Sequence, residues 1–419
     1  MTAADVIVIG GGPAGASTAH ALAGTGARVL VLDRARFPRT KPCAEFLSPE
    51  ASRALDRMGA LNAVEASGAA KLAGMIVRAP NGARIHGRYV AAHGFRAFRD
   101  HGLSVRREVL DQILLDRARA AGARVEEGVR VVDLQRDATG RVCGVVTLDD
   151  DGGTHARPAR LVVGADGLNS MTARRLGLAR RRSWPRRLAL VAHYAGVEGI
   201  TDFGEMHVAR DGYVGIADVG HGLATVAAVF PARAGRDIAR DPAGFLHAWL
   251  ARQPQLAPRF APARRVDDMR AVGPFASHAR RAWAPGAMLV GDAADFFDPF
   301  TGEGIYSALR GGELAAHYAR AALDARSPAG ADVALAAYHR SRRHEFGGKW
   351  IVERAIGAVI ANAPLINRAA RACAAHPDMA DLLVGVAGDF VPPRQVMQPA
   401  FLLRLFVRPL SAAPAASRT

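Results

Sequence analysis

Residues 5–15 read Asp5-Val6-Ile7-Val8-Ile9-Gly10-Gly11-Gly12-Pro13-Ala14-Gly15. The apolar run at 6–9 fits a buried parallel strand, and Gly10, Gly12 and Gly15 stand in the GxGxxG register at its carboxyl end, ahead of Ala-rich, helix-favouring sequence. Each glycine has its own task. Gly10 permits a sharp turn, Gly12 leaves room for a pyrophosphate, and Gly15 lets the following helix close on the strand. Pro13 and Ala14 open that helix, whose free N–H groups attract phosphate. A second apolar run, at 27–32, ends in Asp33, about 20 residues beyond the first glycine, where an acceptor for a ribose hydroxyl is expected. Asp33 repels a 2′-phosphate and Arg34 beside it weakens that repulsion, so FAD or NAD is expected before NADP. The structural alternative is a plain strand–turn–helix with a solvent-facing Asp33.

Composition narrows the class. A chain of 419 residues predicts two or three domains with a large core, and half of its residues are hydrophobic. It contains no uncharged apolar run of about 18 residues, so no membrane-spanning helix is expected. Residues 350–366 come closest, interrupted by Glu353 and Arg354. The first strand begins too early for a cleavable leader, and a cytoplasmic location is expected. Cys43, Cys143 and Cys373 form no CxxC pair and no histidines stand at HExxH spacing, so neither a disulfide nor a metal site is expected. The formal charge of +16 comes almost wholly from arginine, since only Lys41, Lys71 and Lys349 are lysines. That bias fits a GC-rich genome. The densest cluster, Arg174-Arg175, Arg180-Arg181-Arg182 and Arg186-Arg187, reads most simply as solvated surface. Its alternative is an anionic partner: a membrane surface touched peripherally, a coenzyme A or diphosphate substrate, or an acyl carrier protein. No nucleic-acid module is present, which excludes nucleic acid as the expected partner.

Along the chain, residues 100–124 predict a loop and then an amphipathic helix with Val109, Ile113, Leu114 and Ala118 on one face. Residues 129–148 alternate like a meander turned at Ala138-Thr139-Gly140. Leu161-Val162-Val163 runs into Gly164-Ala165-Asp166-Gly167, and the strand-like residues 287–290 run into Gly291-Asp292-Ala293-Ala294. Residues 188–229 are strand-rich, with turns at Asp211-Gly212 and Gly220-His221-Gly222, and predict an antiparallel sheet. Helix is expected from Pro242 to about 256, strand at 266–272, helix at 304–323 and mostly helix thereafter. The apolar tail at 401–407 is read as a helix packed on its own domain rather than a membrane anchor.

Three glycine-and-acid turns, each after a short apolar strand, together resemble the FAD-dependent monooxygenase and geranylgeranyl reductase superfamily, flavoproteins with the p-hydroxybenzoate-hydroxylase fold. The resemblance runs to about residue 330. It implies an α/β protein: a split Rossmann-like FAD-binding domain (1–75, 100–180 and 270–330), an inserted antiparallel β domain for substrate (76–99 and 181–269), and a C-terminal helical region (331–419). It also implies roles. The first turn holds the pyrophosphate and Asp33 the adenosine ribose. Asp166 and Gly167 lie near the pyrophosphate, Gly291 and Asp292 on the ribitol side, and Arg107 reaches the cofactor from a helix start. Pro299-Phe300-Thr301-Gly302-Glu303-Gly304-Ile305 matches the loop under the isoalloxazine, so Pro299, Gly302, Glu303, Gly304 and Ile305 are expected at FAD. A helix N-terminus there stabilises negative charge at the flavin N1–C2=O edge. A mere strand–helix connector is the alternative.

Lys41-Pro42-Cys43-Ala44-Glu45-Phe46-Leu47-Ser48-Pro49 resembles the Lys-x-Cys-Gly motif of the geranylgeranyl reductases, which lies near the flavin, with Ala44 in place of the glycine. Cys43 is a candidate proton donor or gate, or else a packing cysteine. Glu45 is a candidate general acid or base. Gly212-Tyr213-Val214-Gly215-Ile216-Ala217 stands where the prenyl reductases carry Tyr-x-Trp-x-Phe-Pro, which makes Tyr213 a further candidate and puts a long isoprenoid substrate in doubt. The Trp-x-Trp-x-Ile-Pro signature of halogenases is absent. The leading expectation is monooxygenase-type hydroxylation of a hydrophobic, aromatic or polyketide-like molecule. The alternatives are C=C reduction and a non-catalytic flavin-binding, carrier-docking protein. With no second GxGxxG, electrons are expected from NAD(P)H bound transiently or from a separate reductase.

Overall fold

The strand Ala4–Ile9 lies at the centre of a parallel sheet, between Val29–Asp33 and Thr154–Gly164, and Val6, Ile7 and Val8 are fully buried. The computed structural model describes residues 4–91, 94–149, 151–181, 186–275 and 277–407; Arg182 of the arginine cluster lies outside them. The sheet continues through Arg124–Glu127 on one side and Ala287–Leu289 on the other. Thus strands drawn from three distant parts of the chain end side by side, and the three glycine turns meet at their carboxyl ends. Such an end is where nucleotides bind in open α/β sheets.

The helices Pro13–Ala23 and Gly304–Asp324 cover this sheet, and their closeness depends on small residues. A Cβ on Gly312 would lie 2.7 Å from Ser17, whose hydroxyl donates to the Leu309 carbonyl at 2.7 Å. The core beneath them is largely alanine, valine and leucine, Ala19, Val31 and Ala315 among them.

A second sheet stands beside the first. Its order is Arg264–Arg265, Arg187–Ala195, Leu223–Pro231, Gly212–Asp218, Phe203–Ala209, Gly74–Arg78, Arg84–Arg88. Pairing is antiparallel except between Gly74–Arg78 and Phe203–Ala209. The single strand expected at 266–272 is instead two short ones, Arg264–Arg265 and Arg270–Val272, both on Arg187–Ala195. The break has a cause: between them Asp267 turns its carboxylate onto the His193 backbone N–H at 2.9 Å. The helix after Pro242 also stops early, at Ala251, with a separate turn Ala257–Phe260.

The C-terminal region is helical: Pro328–Ile360, Ala363–Ala375, Pro377–Ala387 and Pro399–Phe406. In the last, Phe401 and Leu405 are buried while Leu402 and Leu403 are exposed. Among the described residues no helix is long and apolar enough to cross a membrane.

Candidate active site

The glycine turn is built for close approach. Gly10 has φ +103°, where a side chain is strained, and a Cβ on Gly15 would lie 1.8 Å from the Gly10 carbonyl oxygen. Gly12 differs. It precedes the helix Pro13–Ala23 without a side-chain cap, and a Cβ there would meet only the Arg39 guanidinium, at 3.3 Å. The uncapped N–H groups of the first turn therefore face open space beside a cation, an environment that fits a pyrophosphate.

From this turn a cleft of about 1600 Å³, counting the part open to solvent, runs to the second sheet. Its lining joins the glycine turn to the second sheet, and apolar side chains dominate it, as in most small-molecule sites. Pro13, Ala14 and Gly167 line its near end, and Gly291 and Asp292 follow. Pro299, Gly302, Glu303, Gly304 and Ile305 form its middle, with Cys43, Ala44, Glu45 and Arg107 opposite. At the far end stands the sheet. Residues two apart share a strand face, so Ala189 and Val191 on one strand, Ala227 and Val229 on the next, and Tyr213 and Gly215 on the third make a wall of small and apolar groups.

Asp33 and Asp166 both brace the turns they mark. Asp33 is buried off the cleft, its oxygens accepting from the backbone N–H of Gly11 (2.7 Å) and Ala35 (2.8 Å), so it ties the glycine turn to its own strand. Asp166 accepts from the Ser170 hydroxyl at 2.6 Å and the Thr172 N–H at 2.9 Å, bracing the turn whose neighbours Ala165 and Gly167 reach the wall. Arg34 is exposed. Arg107 is pinned by both oxygens of buried Asp111, at 2.9 Å each. Burial works against its charge, and Asp111 and the neighbouring Cys43 outweigh that, so it stays a fixed cation. Asp292 lies 3.8 Å from Lys41.

Glu45 has φ +62°, a left-handed conformation uncommon for a residue with a side chain. Its N–H donates to the Cys43 sulfur at 3.3 Å, and its carboxylate is almost fully buried. One oxygen accepts from the Arg107 N–H at 2.8 Å. The other is 2.7 Å from His193 Nε2. His193 follows Ala189 and Val191 on the same strand face, and its Nδ1 lies 2.7 Å from Asp267. Burial lowers the affinity of the ring for a proton, but the bonds to Glu45 and Asp267 more than reverse this, and its pKa is raised.

A second cluster holds the loop 299–304. Lys349 on the long helix reaches Glu303 at 2.8 Å and also pairs with Asp389. Burial pushes the Glu303 carboxyl up to about 7 against the pull of Lys349. Burial and the charge of Glu303 carry Glu353, on the cleft wall, well above the ordinary range. Between the loop and the sheet, Asp298 accepts from the Tyr213 hydroxyl at 2.5 Å and from Arg187 at 2.7 Å. Burial, and then the Asp298 charge, raise the Tyr213 pKa. None of His193, Asp267, Lys349, Glu353 or Asp298 carries a local sequence signal; each gains its meaning only from a distant partner.

Residues 3–346 match the family model for an FAD binding domain. The chain belongs to that family. It is 31% identical over 327 residues to digeranylgeranylglycerophospholipid reductase 2 of Methanopyrus kandleri, covering 76% of this chain and 78% of that one. It is 30% identical over 336 residues to the menaquinone reductase of Mycolicibacterium smegmatis, covering 75% and 76%. A solved flavoprotein/dehydrogenase from Cytophaga hutchinsonii superposes with a TM-score of 0.81 over 96% of each chain, at 21% identity, a likeness of fold. This flavoprotein is therefore an FAD-dependent oxidoreductase of the monooxygenase and geranylgeranyl reductase superfamily.

Proposed function

We propose that this flavoenzyme reduces a C=C bond in a long hydrophobic molecule. The observation that carries the reading is the wall of small and apolar side chains, Ala189, Val191, Ala227 and Val229, in a cleft that also holds buried carboxyls. Glu45 and Glu353 both line that cleft, and burial raises the affinity of Glu353 for a proton. Saturating a double bond adds a hydride to one carbon and a proton to the other, so it needs an acid at the wall. Bound FAD supplies the hydride. Hydroxylation of an aromatic or polyketide-like ring, which heads the sequence reading, would instead add one oxygen, and the assay below separates the two. The names of the two curated relatives point to reduction, since both are reductases and both act on hydrophobic molecules.

The test is anaerobic. Holoprotein reduced with dithionite is mixed with menaquinone or with a geranylgeranylated phospholipid, and the extracted lipid is weighed by mass spectrometry. A gain of two hydrogens in the chain is expected. An unchanged lipid, together with an aromatic probe that gains one oxygen in air, overturns the reading.

A further inference from the structure

Glu45 stands in the partition between two clefts. Glu45 lines the main cleft and also a smaller one, together with His193 and Asp267. Exposure rises along the chain of bonds, from 3% for the Glu45 side chain to 9% for His193 and 23% for Asp267. Lys41, Arg106, Arg107, Glu108 and Arg270 surround the smaller cleft. The two links are 2.7 Å each, short enough for a proton to move without displacement of heavy atoms.

We propose that His193 is the proton reservoir of the main cleft, loading Glu45 from the smaller cleft, and that Asp267 is the positioning residue that aims its ring. Asp267 holds the ring from two sides, through Nδ1 and through the His193 backbone N–H. That fixes Nδ1–H and leaves Nε2 as the side that exchanges, the orientation a carboxylate imposes on a catalytic imidazole. In each turnover the Nε2–H bond of the imidazolium breaks as an O–H bond forms on the Glu45 carboxylate, and that O–H bond breaks as the proton passes to the acceptor in the cleft. Neutral His193 regains its proton at Nε2 from water in the smaller cleft. No electrons move in these steps. The hydride comes from the reduced flavin, itself reduced beforehand by dithionite. The inference needs a proton-consuming acceptor at the flavin and does not depend on the substrate proposed above.

The test follows that independence. Reduced holoprotein is reoxidised anaerobically by menadione, a soluble quinone that takes up a hydride and a proton, or by ferricyanide, which takes up electrons alone. His193→Ala is expected to slow the menadione reaction at least tenfold and leave the ferricyanide reaction unchanged, with free imidazole restoring the former. His193→Gln, which keeps the polar contact, is expected to be equally slow and not to be rescued. Without FAD, ¹⁵N-histidine NMR of the apoprotein is expected to show His193 protonated to higher pH than an ordinary histidine, and Glu45→Gln is expected to abolish that excess. Equal slowing with both oxidants, no slowing with either, or a His193 titration indifferent to Glu45 overturns the reservoir. A null result in the lipid assay leaves each of these readouts intact.

Discussion

Two ionic clusters touch the main cleft, one through Glu45 and one through Glu303, and they differ in what burial and partners do to their charge. Around His193, two carboxylates flank one ionisable base, and the outer one reaches water. Around Lys349, Glu303 and Asp389 press on one cation, Glu353 stands close by, and burial raises all three acids. In the first, two carboxylates raise the affinity of the ring for a proton. In the second, burial raises the affinity of the acids for protons against the pull of Lys349. The first touches water through Asp267, whereas the second is nearly shut from it and clamps the loop 299–304.

Removing the cation is the severest way to break that contrast. Lys349→Met leaves Glu303 and Asp389 buried without it, and breaking a buried pair from one side costs about 3–5 kcal/mol. Urea unfolding at neutral pH is expected to show a loss in that range. Because both acids are neutralised by added protons, the loss is expected to shrink at pH 5. A loss independent of pH would mean that Lys349 packs rather than neutralises.

The pH dependence separates the clusters next. Glu303 rises from an ordinary 4.5 to about 7 in the fold, so the folded state holds a proton that the unfolded chain releases. Its contribution is fully present below about 4.5 and is lost as pH climbs to about 7, worth on the order of 3 kcal/mol. Glu303→Gln, a mimic of the neutral acid, is expected to flatten stability across that window. His193 is also raised, from 6.5, so its contribution survives to 6.5 and is lost only as pH rises through its folded pKa. His193→Gln is thus expected to flatten the curve above 6.5 and leave the lower window alone. Melting temperatures from pH 4 to 9 for the two variants distinguish the clusters directly.

What the sequence discloses follows from the range of each constraint. The glycine register is legible because its demands are local: Gly15 must be small where its own turn folds back to 1.8 Å, and Gly10 must take a positive φ. The three turns are legible together because parallel strands bring their ends to one side. Asp33 and Asp166 show where motif reading stops. Both mark the right turns, and both also accept from nearby N–H groups, a bracing task that the motif does not disclose. Glu45 is legible as a candidate from its neighbours, but its partner lies 148 residues away on the other sheet. The pairing of Lys349 with Asp389 likewise depends on how the C-terminal helices pack, which no local pattern encodes.

A third acid tests whether cation supply alone governs these clusters, and it carries the smallest expected effect. Asp298 sits between the flavin loop and the sheet with Arg187 at 2.7 Å, the Phe300 N–H at 3.1 Å and the Tyr213 hydroxyl at 2.5 Å. Its cation remains when the phenol is removed. Tyr213→Phe should therefore cost only the net worth of one hydrogen bond to a charged group, about 1.5–3 kcal/mol, with the ring's edge contact to Phe300 kept. FAD content and the ferricyanide rate are expected to match wild type. If the variant instead loses as much stability as Lys349→Met, the hydroxyl is carrying charge that Arg187 does not, and the rule drawn from the two larger clusters fails at the sheet.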